Sequence, residues 1–215
     1  MNEMKKHIFP IILIGATVII WLLFYQQLPS EMPIHWDING NVNGYATKSN
    51  AMLMSIALMV FIYAMMSVVP KVDPKKNNYK NFSKSYSIIN ILTLVVIFAI
   101  NMLMLTAGLG YKVNTRLAIH LILGVLFIVL GNYMPQIKPN YFIGVKTPWT
   151  LNDEDNWKKT HRFGGRTFII SGFLFMITIF LPDRFVEDFG VPFILIILLS
   201  PLAYSYLLFR RQING

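Results

Sequence analysis

The chain has 215 residues, of which 55% are hydrophobic and only 13% charged, with a net charge of +9 and no cysteine. Soluble domains carry roughly 25% charged residues, and the missing cysteines exclude a disulfide framework and a thiolate metal site. The composition therefore points to one integral membrane unit, with the surplus of positive charge a matter of membrane topology rather than of nucleic-acid binding.

Apolar runs close to the ~20 residues that cross the hydrocarbon layer as a helix recur along the chain. The first, Ile8–Leu28, follows Lys5 and Lys6. The sequence after it, "FYQQLPSEMP", offers no small-x-small cleavage pattern, so an uncleaved span is expected. Next comes "LPSEMPIHWDINGNVNGYATKS", Leu28 to Ser49. Pro29 and Pro33 stop a helix, Ile34, Trp36 and Ile38 alternate with His35 and Asp37 as in a short strand, and Asn39-Gly40 and Asn43-Gly44 are turn signals. A small hairpin or compact lid is expected, with Lys48 marking the return to the membrane. His35 and Asp37 would share one strand face; two ligands do not make a metal site, so they read as hydrogen-bonding groups that hold the lid together. Trp36 and Tyr45 read as interface anchors.

Further spans are expected at Ala51–Val69, Ile88–Gly108, Leu117–Met134, Thr167–Leu181 and Val191–Phe209, the fifth being short. Their short linkers favour closed helices, because lipid tolerates no unpaired backbone. No Asp, Glu, Lys or Arg lies deep in a span; Arg166 sits at an end, from which it can snorkel. His120 is the one ionisable candidate inside the membrane. It forms a stripe with Gly124 and Gly131, small residues that let helices approach closely, and reads as a packed, hydrogen-bonded histidine. Asn90, Asn101 and Asn132 are expected to bond between helices, and Pro201, with Ser200 beside it, to kink the sixth span.

Between spans four and five lies "NYFIGVKTPWTLNDEDNWKKTHRFGG", Asn140 to Gly165, charged and aromatic. Its second half predicts a short helix. Asn152 would be the N-cap, acidic residues 153–155 fill the first turn, Lys158, Lys159, His161 and Arg162 fill the last turns, and Gly164-Gly165 end or hinge it. Glu154–Lys158 and Asp155–Lys159 are i,i+4 pairs. Trp157, Thr160, His161 and Gly164 share one face, expected to lie on the membrane interface or on the inner mouth of the bundle. In the first half, Gly144 permits unusual backbone angles and Pro148 pushes Thr147 toward extended geometry. Two readings stand: a loop anchored in the headgroup layer by Tyr141, Phe142 and Trp149, or a docking surface exposing Lys146, Trp149, Trp157, His161 and Arg162.

Of the 19 basic residues, 15 fall in segments on the side of the N-terminus and four, Lys48, Lys112, Arg116 and Arg184, on the other. The positive-inside rule then puts both termini in the cytoplasm, the lid outside and the Asn140–Gly165 loop inside. The expected fold is an all-α integral membrane protein of six transmembrane helices, with an interfacial cytoplasmic helix between the fourth and fifth. Residues 1–69 would supply two helices and the lid (about 28–49), and residues 70–215 a four-helix region with the cytoplasmic loop (about 135–166).

Asn140, "IGVKTPWTL", Trp157, "THR" and the following Gly164 resemble the C-terminal signature of the SdpI family of membrane immunity proteins. Leu28-Pro29, Met32-Pro33, His35-Trp36, Gly40, Gly44-Tyr45 and Lys48 resemble a domain of unknown function that often precedes it. The resemblance implies immunity against a secreted antimicrobial peptide toxin, and signalling in which a cytosolic transcriptional repressor is held at the membrane. On it, Pro33, His35, Trp36, Asp37, Gly40, Gly44, Tyr45 and Lys48 form a toxin-sensing outer loop. Asn140, Gly144, Lys146, Thr147, Pro148, Trp149, Trp157, His161, Arg162 and Gly164 form the docking loop, and Asn101, His120 and Asn132 are the polar residues inside the membrane. Membrane lipids complete the expected partners; no cofactor, metal or catalytic residue is implied. The family usually has arginine where this chain has Lys146, which keeps the charge but loses the planar fork. A general envelope function, or solute or lipid transport, is the open alternative. A membrane enzyme using His35, Asp37 or His161 is disfavoured by the missing third catalytic group.

Overall fold

A computed structural model of the chain describes residues 3–214, with side chains placed from 7 to 213; the side chains of Lys5 and Lys6 lie outside these. In chain order it runs α1 (Glu3–Phe24), β1 (Glu31–Trp36), β2 (Val42–Thr47), α2 (Lys48–Val72), a 3-10 segment (Lys76–Phe82), α3 (Ser83–Gly108), α4 (Thr115–Tyr133), α5 (Pro148–Asn152), α6 (Glu154–Ile177), α7 (Asp183–Phe185) and α8 (Val191–Asn214). Among the described residues, six helical stretches are long and apolar enough to cross a membrane, as expected: His7–Phe24, Lys48–Val72, Lys76–Gly108, Thr115–Gln136, Glu154–Phe180 and Asp183–Ile213. The chain is a multi-pass membrane protein built of helices, with one hairpin.

The helices group into two compact units that do not follow chain order. One takes the chain up to Ser67 with Asn90–Ile122, the other Val68–Ile89 with Leu123–Gly215. In the first, Trp21, Leu28, Met32, Trp36, Ala51, Leu103, Met104 and Leu105 form a buried cluster. Asn101 links α1 to α3 as expected, its Oδ1 accepting the Trp21 indole N–H at 3.1 Å while its own amide donates to the Ile97 carbonyl. His120 is buried, its Nδ1 2.8 Å from the Arg116 carbonyl.

In the second unit the frame is a glycine seam between α4 and α6. A Cβ on Gly131 would stand 2.6 Å from the Gly165 carbonyl oxygen and one on Gly165 2.7 Å from that of Gly131. A Cβ on Gly124 would stand 2.9 Å from the Gly172 oxygen and one on Gly172 2.6 Å from that of Gly124. Two glycines seven residues apart on each antiparallel helix thus bring the backbones into contact, the packing that small residues permit where water supplies no hydrophobic drive. This overturns the reading of Gly164-Gly165 as a helix end. Helix α6 runs through both, because Gly165 meets α4 while Gly164 packs on Met134 and on Pro201 of α8. The helix expected in the loop is therefore the beginning of the fifth span. Asn132, by contrast, lies on an exposed face of α4 and not between helices.

Helix α8 continues through Pro201. Proline removes the N–H that would bond the carbonyl four residues back, which is that of Ile197. Ser200 Oγ donates to that oxygen at 2.7 Å, so the helix passes the proline without a bare acceptor.

Gly131→Val forces a branched side chain into the seam, and overpacking of this kind costs about 1–3 kcal/mol. A clear fall in the melting temperature of the detergent-solubilised protein is expected. Gly15→Val, where a Cβ meets nothing within 4 Å, should leave it nearly unchanged.

Candidate functional site

Residues 137–147 form neither helix nor strand, so their backbone groups need partners from elsewhere. Asn140, fully buried, supplies four of them. Its Oδ1 accepts the N–H groups of Phe142 at 2.9 Å and Ile143 at 2.8 Å. Its amide donates to the carbonyls of Lys138 at 2.9 Å and Ile143 at 3.0 Å. One side chain thus closes the turn on itself.

The remaining groups are met from three directions. From the segment after α2, the buried Asp73 accepts the Tyr141 N–H at 3.0 Å and the Tyr79 hydroxyl at 2.9 Å, and the Tyr79 oxygen also lies 3.4 Å from Asn140 Oδ1. Asn78 donates to the Pro139 carbonyl at 2.7 Å, and Lys75 Nζ to that of Leu151 at 2.7 Å. From α6, the Trp157 indole donates to the Ile137 carbonyl at 2.8 Å. His161 Nδ1 lies 2.9 Å from the Trp157 carbonyl, so that nitrogen carries the proton; Nε2 is then free to accept the Val145 N–H at 3.2 Å. Both ring nitrogens are used, and the geometry requires a neutral imidazole. From within the loop, Thr150 Oγ1 lies 2.9 Å from the Val145 carbonyl and 2.9 Å from the Thr147 N–H.

Trp157 and His161 are therefore not exposed to a partner. Both are buried, stacked ring on ring with centroids 4.0 Å apart. The face they share with Thr160 and Gly164 lies inward because it supplies what the loop backbone lacks. Gly144 sits at φ +104°, and a Cβ there would collide with His161 Nε2. Thr147 is extended and caps α5 in a reciprocal capping box with Thr150, with Pro148 in the first turn. The N-cap of α6 is Asp153, not Asn152, which ends α5. The Gln212 amide donates to the Asp153 carboxylate and holds it below the usual carboxylate range. Trp149 is half-buried against α8, stacked on Phe209 and donating to Ser205 Oγ at 2.7 Å. The loop leaves Lys138, Tyr141, Phe142, Gly144 and Lys146 exposed, as are Pro148 at the start of α5 and Arg162 on α6. The expected i,i+4 pairs are present and solvent-exposed, Lys159–Asp155 at 2.7 Å and Lys158–Glu154 at 3.7 Å.

The hairpin belongs to the other unit. Strands β1 and β2 are antiparallel, with a bulge between Pro33 and Trp36. Strand β1 ends at Trp36, so Asp37 does not share a face with His35. It caps the turn instead, accepting the N–H groups of Asn39 and Asn41 at 2.9 Å each. Partial burial would raise its carboxyl, but the hydrogen bonds from Asn41, Asn39 and Gly40 together outweigh that and hold it below its ordinary value. His35 Nδ1 lies 2.5 Å from Asn43 Oδ1 across the strands. Gly40, at φ +84°, lets its carbonyl accept from Thr115 Oγ1 at 2.5 Å, and a Cβ on Gly44 would stand 3.0 Å from that of His35. Trp36 is packed in the unit's core rather than anchored at an interface, and Pro33 is buried. Lys48 begins α2 and lies over the Tyr25 ring, 4.8 Å from its centroid. His35 and Tyr45 remain exposed.

Sequence reasoning missed Asp73, Lys75, Asn78 and Tyr79. The signal was a carboxylate among lysines and asparagines, "VDPKKNNY", beside a span end, and nothing local pairs it with a loop more than 60 residues away. Gly144→Ala should fail on both counts, backbone angle and clash, for about 1–3 kcal/mol of strain. His161→Phe keeps the stacked ring but strands the Val145 N–H, for about 1–3 kcal/mol. Both should lower the melting temperature and speed proteolysis within residues 137–147, while His35→Phe, at an exposed site, should do neither.

Residues 136–206 match the model of the SdpI/YfhL protein family, and residues 12–60 that of a domain of unknown function, DUF1648. The chain is 29% identical over 215 residues to the immunity protein SdpI of Bacillus subtilis (strain 168), covering 99% of each. No solved structure matches. The chain thus carries an SdpI/YfhL region at residues 136–206 and a DUF1648 region at residues 12–60, in the expected order, and is similar along its whole length to a protein named for immunity.

Proposed function

We propose that this protein confers immunity on the cell that carries it, against a secreted antimicrobial peptide, without acting as an enzyme. The observation that carries the reading is the full-length relation to a protein named for immunity. Two built loops of different chemistry support it. In this reading the hairpin, after the first span, faces outward and the Asn140 loop, after the fourth, faces the cytoplasm, which the charge split supports. The hairpin then senses the peptide through two of the side chains it leaves exposed, His35 and Tyr45. Pro33, Trp36, Asp37, Gly40, Gly44 and Lys48 shape it. On the cytoplasmic side Tyr141, Phe142 and Lys146 dock a repressor, while Asn140, Trp157 and His161 hold the surface on which they stand.

Cells expressing the protein should survive the secreted peptide fraction of their own culture, and a sensitive strain lacking it should not. Tyr45→Ala with His35→Ala should lower survival at equal membrane abundance; full survival would remove the sensing role from the hairpin. Tyr141→Ala with Phe142→Ala removes two aromatic anchors, worth about 2 kcal/mol or more each where they are hot spots. Loss of even one weakens docking roughly thirtyfold. A membrane-localised repressor should be released while survival is kept. Recruitment at the wild-type level would contradict docking at this loop.

A further inference from the structure

The back of α6 carries a pattern that the loop does not use. Lys158, Arg162 and Arg166 follow one another at four-residue steps on an exposed face, which continues as Ile170, Phe173 and Ile177, each about half exposed. Lys158 has Glu154 3.7 Å away. Among the described residues neither Arg162 nor Arg166 has an acidic partner in an ion pair.

The apolar part of this face begins only after Arg166. From Thr167 to Phe180 it measures about 14 residues, roughly 21 Å at 1.5 Å per residue, against about 30 Å of hydrocarbon. A full-thickness bilayer would lay acyl chains over two guanidinium groups, which is costly. The alternative is for the headgroups to come down to the arginines and the bilayer to thin beside the helix. Arg162 and Arg166 are one turn apart, so both forks can reach one phosphate, and guanidinium matches phosphate oxygens in paired hydrogen bonds.

We propose that Arg162 and Arg166 form a site for the phosphate of an anionic phospholipid whose acyl chains lie along Ile170, Phe173 and Ile177. The continuous apolar stripe below the arginines selects a lipid over a free phosphate, and two unpaired cations select an anionic headgroup over a zwitterionic one. The site does not depend on the immunity reading.

The test uses the full-length protein in nanodiscs of mixed phosphatidylcholine and phosphatidylglycerol, counting by native mass spectrometry the lipids that stay bound. Wild type should retain phosphatidylglycerol in preference to phosphatidylcholine, and excess inorganic phosphate should not displace it. R162Q/R166Q should lose that preference by about tenfold or more. R210Q/R211Q, which removes the same charge from the end of α8, should keep most of it. R162K/R166K, which keeps the charge and guards against a folding defect, should fall between. A wild-type preference in R162Q/R166Q, an equal loss in R210Q/R211Q, or displacement by inorganic phosphate would overturn the proposal. So would a wild-type protein with no preference that instead retains an acidic protein on these arginines.

Discussion

A buried backbone must pair its N–H and C=O groups, and the Asn140 loop pairs them with side chains. Helices and strands do this for most of the chain at no cost in side-chain identity. Here each group needs a particular residue: Asn140 for the turn, Asp73 and Asn78 for its start, Trp157 and His161 for its floor, Thr150 for its end. Leaving one such group bare costs about 1–3 kcal/mol, and Asn140 alone serves four. The exposed pairs Glu154–Lys158 and Asp155–Lys159 are screened by solvent and count for little beside this. The signature of this loop is thus first a hydrogen-bonding scheme, and the surface it presents follows from that scheme.

The glycine seam serves the same end. Trp157 and His161 reach the loop because α6 is held against α4 by close backbone contact at Gly131–Gly165 and Gly124–Gly172. Anchored there, the first turns of α6 can offer one face to the loop and the other, with Arg162 and Arg166, to the headgroups. On α8, Ser205 ties in both ends of the arrangement. Its hydroxyl accepts from Trp149, and its carbonyl accepts from Asn156 at 3.0 Å. A helix thus joins a loop on one face to lipid on the other, which gives the bilayer a physical route to the position of the loop.

Much of this was legible in the sequence, and the misses have physical causes. The number and order of the spans, the prolines and the Asn39-Gly40 turn of the hairpin and the extended Thr147 before Pro148 follow from local rules and stand in the structure, whereas Asn43-Gly44, read as a turn, lies inside β2 and the fifth span is longer than expected. Gly164-Gly165 misled because a glycine pair reads as a helix end in isolation and as a packing surface once a second helix lies against it. Trp157 and His161 misled because an aromatic and an imidazole in a charged segment suggest exposure, whereas a neighbouring unpaired backbone draws them inward. Asp37 misled because strand alternation does not reveal where a bulge ends the strand. Asp73 could not be found at all, since its partner Tyr141 lies far along the chain.

The central claim is that Asn140 holds the loop by pairing its backbone. Hydrogen–deuterium exchange at the Phe142 and Ile143 amides, in wild type and in Asn140→Ala, tests it most directly. The account predicts slow exchange at both amides in wild type and fast exchange at both in the variant, with the amides inside α6 and α8 unchanged. Equal protection at Phe142 and Ile143 in the two proteins would contradict it.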